Sequence, residues 1–171
     1  EDADLSLQAI TRLVAELLAR LDLSDAIVVG NDTGGVLVQL LAADPPSRLG
    51  GIVLVSCDAF DNFPPGLTGK ALFMTGRLPP TLFGLFMQQM RLRIVRRLPI
   101  AFGWLTRRGD AATRRSMTPI LTQAAIRRDT VRMLRAAGTD AGFLLAAAEQ
   151  LRHFDRPALV VWARDDRVMP P

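Results

Sequence analysis

The run Gly30-Asn31-Asp32-Thr33-Gly34-Gly35 links one apolar stretch, Ala26-Ile27-Val28-Val29, to a second, Val36-Leu37-Val38-Gln39-Leu40-Leu41-Ala42-Ala43. The first has the shortness and β-branching of a buried parallel strand, and the second reads as a helix. A strand that doubles back sharply into a helix brings backbone so close that Cβ atoms collide. Gly30, Gly34 and Gly35 provide the smallness such a turn needs, and glycine tolerates its backbone strain. Asp32 is thereby pushed out of the sheet at a helix N-terminus, next to backbone N–H groups.

Upstream, Ile10, Leu13, Val14, Leu17, Leu18 and Leu21 recur at helical spacing, which predicts an amphipathic helix capped near Ser6. Downstream, Asp44-Pro45-Pro46 ends the second helix, and Gly51-Ile52-Val53-Leu54-Val55-Ser56 reads as the next strand. Strand, helix and strand in this order predict a right-handed crossover in a parallel sheet. The functional edge of such a sheet lies at the C-terminal ends of its strands. Residues 66–150 are rich in arginine, methionine, phenylalanine and apolar helix formers, broken at Pro79-Pro80, Pro99, Gly109 and Gly138. Thr118-Pro119 and Thr139-Asp140 read as helix starts there. The chain then returns to a strand within Arg156-Pro157-Ala158-Leu159-Val160-Val161-Trp162.

The turn matches the nucleophile elbow G-x-S-x-G with aspartate in place of serine. In this the chain resembles the α/β-hydrolase superfamily, and within it the Asp-nucleophile branch of haloalkane dehalogenases and epoxide hydrolases. The resemblance implies an α/β fold: a partial α/β-hydrolase sheet with flanking helices and an inserted helical cap. Residues 1–58 would be core, 59–150 the cap roofing the nucleophile, and 151–171 the return to the core. A carboxylate is ionised at neutral pH, so Asp32 would attack a saturated carbon directly and form an alkyl-enzyme ester. A plain helix cap is the ordinary alternative role for an aspartate here.

The last segment resembles the acid-bearing strand and loop of the superfamily, P-x-L-x-x-W-G-x-x-D-x-x-x-P. Pro157, Leu159, Trp162 and Pro170 match, Ala163 replaces the usual glycine, and the acid falls on Asp166 rather than Asp165. Its role would be to hold an imidazole in the right tautomer and stabilise the imidazolium. Some haloalkane dehalogenases carry the acid after the preceding strand. Direct alignment puts Ser56 at that spot, which makes Asp58, two residues on, the second choice. The Thr33 amide would be one oxyanion donor, with Gly30 and Gly34 shaping the elbow. The only histidine, His153, precedes Asp166, the wrong side for the family order, and nothing resembles the H-G-type loop that carries the second oxyanion donor. The chain is therefore expected to be the middle of a hydrolase, inactive by itself.

Known epoxide hydrolases of this branch polarise the epoxide oxygen with cap tyrosines, and this sequence has no tyrosine. That favours halide as the leaving group, although Thr33 replaces the tryptophan that often follows the nucleophile. Trp104 is the candidate second halide contact, or else a core aromatic. A catalytically dead hydrolase-fold binding module is the rival from another class. The unpaired sheet edge that such a module would expose counts against it.

Composition narrows the rest. With 49% hydrophobic residues in 171, the chain can bury one core with an appended subdomain. No apolar run approaches membrane-span length, so no membrane partner is expected. Cys57 is the sole cysteine, which suggests a reducing, cytoplasmic compartment. The net charge of +4 comes almost entirely from arginine, with Lys70 the only lysine. The arginines at 91, 93, 96, 97, 107, 108, 114, 115, 127 and 128 lack an aromatic stacking platform, so no nucleic-acid partner is expected. Gly66-Leu67-Thr68-Gly69-Lys70 is no P-loop, since Pro64 stands at the first glycine and Ala71 follows the lysine. The expected partner is a small organic substrate, and no cofactor or metal is expected because Asp, His and water suffice.

Overall fold

Ser6 opens the first helix. Its Oγ accepts the Ala9 N–H at 3.2 Å, satisfying one of the donors a helix start leaves free, and α1 (Leu7–Arg20) follows. The structure, a computed structural model, describes residues 3–104, 106, 108–138 and 142–170. The predicted Thr139-Asp140 helix start, Arg107 and Pro171 lie outside these. Of the apolar stripe expected on α1, Val14 and Leu18 pack inward while Leu13, Leu17 and Leu21 stay more than half exposed. The helix rests mainly on the helix of residues 33–43, with a lesser contact to that of residues 124–137, so only one edge of its stripe is covered.

Three parallel strands form a sheet in the order β1 (Ala26–Asn31), β2 (Leu49–Val55), β3 (Ala158–Val161). Val29, Val53 and Leu159 stand in register across it, and the strands finish together at Asn31, Val55 and Val161. The register slips between Ala26 and Ile27, where a Cβ on Gly50 would lie 2.5 Å from the Asp25 carbonyl. Between β1 and β2 runs α2 (Thr33–Ala43), ending at Asp44 as the two prolines demand.

While β3 is exposed along its length, one face of the sheet is covered along β1 and β2. Leu18, Val38, Leu41, Ala42, Leu49 and Ile52 form its buried cluster, joined by Val28, Leu54, Leu151 and Phe154. The last two come with α8 (Gly142–Leu151) and the loop after it. The sequence reading places 142–150 in the insertion, yet α8 packs along α2 and buries Leu144 against Val36, Leu7 and Phe63. On the other face Ile27 and Val29 of β1 and Leu159 of β3 are exposed by 56–69%.

Among the described residues, five α-helices lie between β2 and α8: α3 (Gly66–Thr75), α4 (Pro80–Met87), α5 (Arg93–Arg96), α6 (Asp110–Thr122) and α7 (Ala124–Ala137). Phe83, Met87, Leu121, Val131 and Leu134 make a core of their own. Phe63 ties the two halves, meeting Phe73 and Phe143 edge-on at 5.2 and 5.3 Å.

Thr118-Pro119 is no helix start. Pro119 lies inside α6, where its ring removes the N–H that would reach the carbonyl four residues back. The Thr118 and Thr122 hydroxyls donate to the Arg114 and Thr118 carbonyls around it, and the helix ends within a turn. The arginines in this segment include structural ones. Arg96, 4% exposed, grips Asp110 through two 3.0 Å bonds and donates to the Met90 and Arg91 carbonyls. Arg127 and Arg135 also donate to main-chain carbonyls.

Candidate active site

The backbone of Asp32 has φ 57° and ψ −129°, a region that L side chains avoid and that costs about 1–3 kcal/mol unless its surroundings impose it. They do so on all sides. The Asp32 N–H donates to the Ser56 carbonyl at 3.0 Å, and the Gly35 N–H donates to the Asp32 carbonyl at 2.9 Å. Asn31 Nδ2 donates to the Val55 and Ser56 carbonyls at 2.7 and 3.2 Å, fastening the ends of β1 and β2. A Cβ on Gly30 would sit 2.4 Å from the Gly34 carbonyl oxygen, and one on Gly35 would sit 2.2 Å from Cys57 Cβ. Gly34 does not share this role: a Cβ there meets nothing within 4 Å. The crowding falls on Gly35 because α2 passes the start of the loop after β2 at that residue.

The turn presents a half-buried carboxylate. Asp32 Oδ1 accepts the Thr33 N–H at 2.7 Å and the Thr33 hydroxyl at 3.3 Å. The oxyanion donor expected at Thr33 is thus engaged with the carboxylate of Asp32 itself, and Oδ2 lies outside those bonds.

Ser56, with φ 31°, draws the three strand ends together. Its N–H donates to the Val161 carbonyl at 3.0 Å, and its Oγ accepts the Ala163 N–H at 3.3 Å. Asp58 follows two residues later and is 1% exposed, with Oδ1 lacking any hydrogen-bond partner among the described residues. Burial, and then the charge of Asp32, push its carboxyl up to about 7. Burial together with Asp58 and Asp32 drives the Cys57 thiol up to about 11. The Cys57 thiol thus stays protonated and unreactive near neutrality.

Gln39 is a site residue the sequence reading missed. It is 4% exposed, and its Nε2 donates to the Asp58 carbonyl at 2.7 Å and the Gly35 carbonyl at 3.2 Å, locking the loop to α2. The one signal was a lone amide within the otherwise apolar run 36–43.

Asp166 stands at the same edge of the sheet, on the loop after β3. Its Oδ1 accepts the Val168 and Met169 N–H groups at 3.0 and 2.9 Å, while Trp162 Nε1 pins the loop to the Met169 carbonyl at 2.7 Å. One carboxylate oxygen thus shapes its own loop, and the neighbouring Asp165 is exposed. His153 is exposed and precedes β3, which puts it at the N-terminal edge of the sheet, across from Asp32. Trp104 is 46% exposed, after the irregular turn Pro99–Gly103 that packs against α3. It is not buried as a core anchor. Among the described residues no three His, Cys, Asp or Glu side chains are grouped to hold a metal ion, and no helix is long and apolar enough to cross a membrane.

An Asp-bearing elbow over a parallel sheet is the architecture of an α/β-hydrolase, and comparison with known proteins agrees. Residues 1–171 match the alpha/beta hydrolase family throughout, and the chain belongs to that family. Solved structures share the fold. The hydrolase MGS-M2 from a Medee basin deep-sea metagenome library superposes with TM-score 0.65 at 16% identity over 100% of this chain and 58% of its own. An alpha/beta hydrolase fold protein from Burkholderia ambifaria gives 0.65 at 20% identity, over 99% of this chain and 60% of its own. A proposed epoxide hydrolase from Pseudomonas aeruginosa gives 0.67 at 22%, over 95% and 56%. The chain thus spans less than two thirds of each of these neighbours. No curated protein sequence matches it.

Proposed function

We propose that the chain carries the nucleophile of a hydrolase acting on saturated carbon, in the manner of a haloalkane dehalogenase, on a small organic substrate. The carrying observation is the Asp32 carboxylate itself, raised on a strained turn with one oxygen held by Thr33 and the other outside that grip. Oδ2 attacks the carbon, the leaving group departs with the bonding pair, and an alkyl ester forms. When water adds to the ester carbonyl, negative charge develops on Oδ1. The Thr33 N–H already points at that oxygen, as a preorganised oxyanion donor should.

Helices α3 to α7 form the cap in this reading, with Trp104 as a leaving-group contact. Asp166 is the acid that orients an imidazole, and Asp58 is the alternative acid. His153, at the far edge of the sheet, is not placed as the base.

Because ester formation needs no base, it can be tested on the chain directly. Incubation with 1-bromohexane should raise the intact mass by one hexyl group, mapped by peptide sequencing to Asp32. The Asp32→Asn variant, uncharged and a poor nucleophile, should lose the adduct by at least about 1,000-fold, since the covalent step itself is removed. An adduct elsewhere, or one that persists in Asp32→Asn, would sink the assignment.

A further inference from the structure

Asp58 is the buried group that the scheme above uses only as the alternative acid. It sits at the end of β2, next to the elbow at the end of β1, and it is 1% exposed. Gln39 fixes its backbone, yet its Oδ1 meets no partner among the described residues. A buried carboxyl oxygen with no donor is costly when charged and acceptable when the group carries a proton. The charges facing it reinforce this. The charge of Asp32 on the elbow raises it further, burial keeps the neighbouring Cys57 thiol neutral, and Gln39 on α2 is uncharged.

Resting on the Asp32 reading, we propose that Asp58 is a catalytic proton donor to an oxygen leaving group, so that the site opens epoxides without a tyrosine. The steps balance. Asp32 Oδ2 forms a bond to one ring carbon, that carbon's bond to oxygen breaks, and the oxygen takes the Asp58 proton. The products are a β-hydroxyalkyl ester on Asp32 and an Asp58 carboxylate. Water then cleaves the ester to a vicinal diol, restoring the Asp32 carboxylate and returning one proton to Asp58. A halide leaves as an anion and needs no proton, so the two leaving groups separate this role from any structural one. A carboxyl that only oriented an imidazole would act on ester cleavage, after the adduct has formed.

The experiment measures the rate of adduct formation on Asp32 by intact mass, with styrene oxide and with 1-bromohexane, and takes the ratio of the two rates. Asp58→Asn should lower the epoxide-to-bromide ratio by about 100-fold or more, the usual worth of a general acid, and Asp58→Glu should restore part of it. The unaltered protein gives an independent check that needs no variant to fold: the ratio should fall as pH rises through about 7, where Asp58 loses its proton. A ratio indifferent to both Asp58→Asn and pH overturns the proton-donor role while leaving Asp32 as nucleophile. An adduct from 1-bromohexane but none from styrene oxide overturns the proton-donor role alone; absence of adduct from both reagents overturns the Asp32 reading and this inference with it.

Discussion

The elbow and the helical segment after β2 are held by opposite means. At the elbow, backbone meets backbone: the peptide groups of Asp32, Gly35 and Ser56 are mutually bonded, and Gly30 has no room for one more carbon. The helical segment is a matter of side chains, with Phe83 and Val131 fully buried and Arg96 knotting Asp110 to two carbonyls. A steric turn is specified by a few adjacent residues. A side-chain core is specified by residues far apart in sequence, many of which can be exchanged at similar volume.

That contrast predicts different kinds of damage. The largest loss should come from the helical segment: Phe83→Ala empties the centre of its core and should cost about 3–5 kcal/mol. The denaturant midpoint should fall by a corresponding amount. If Phe83→Ala is nearly neutral, the segment is not organised around that cluster.

Gly35→Ala should come next. The new Cβ lands 2.2 Å from Cys57 Cβ, the root of a side chain rather than its flexible end, so the elbow and the loop after β2 must part. Overpacking of this kind costs about 1–3 kcal/mol. Here it should also slow adduct formation on Asp32, whereas Phe83→Ala should act on stability first. Equal effects of the two variants on stability and on adduct rate would erase the distinction between the regions.

Much of the elbow was legible because its code is local. Apolar run, small residues, acid, small residues and apolar run appear consecutively, and the structure returns β1, α2 and β2 in that order with a parallel register. The final strand and its Trp162-anchored loop were legible for the same reason. The rest depended on contacts between distant segments. Gly35 rather than Gly34 became the tight glycine because of Cys57, and Gln39 gained its role from a loop 19 residues away. Pro119 could sit inside α6 because threonine hydroxyls and a nearby helix end accommodate it. The outer leucines of α1 read as core, but a helix periodicity does not say how many neighbours a helix has.

A subtler test sets a buried group at the elbow against the exposed charges elsewhere. Asp58 ionises near 3.8 when unfolded and about 7 in the fold. The folded state therefore holds the extra proton, and folding loses support as pH rises from the lower value to the higher. Asp110 and Asp4 are shifted the other way, so their contributions disappear only as pH drops below the ordinary carboxylate range. Between about pH 4 and 7 the melting temperature should decline, and Asp58→Asn should flatten that decline. A slope that survives the substitution would mean that Asp58 is not the buried proton.

Gly34→Ala should do least, and for that reason it cuts finely. The elbow pattern alone treats Gly34 and Gly35 as interchangeable small residues. The structure separates them: a Cβ on Gly34 enters open space while one on Gly35 strikes Cys57. Gly34 lies in the first turn of α2, where alanine is the better helix former and reduces the freedom of the unfolded chain. The substitution should therefore be neutral or stabilising by up to about 1 kcal/mol, with the Asp32 adduct rate unaltered. A loss comparable to that of Gly35→Ala would mean that the second half of the turn is as tightly closed as the first, and that the crowding at Cys57 is not what fixes it.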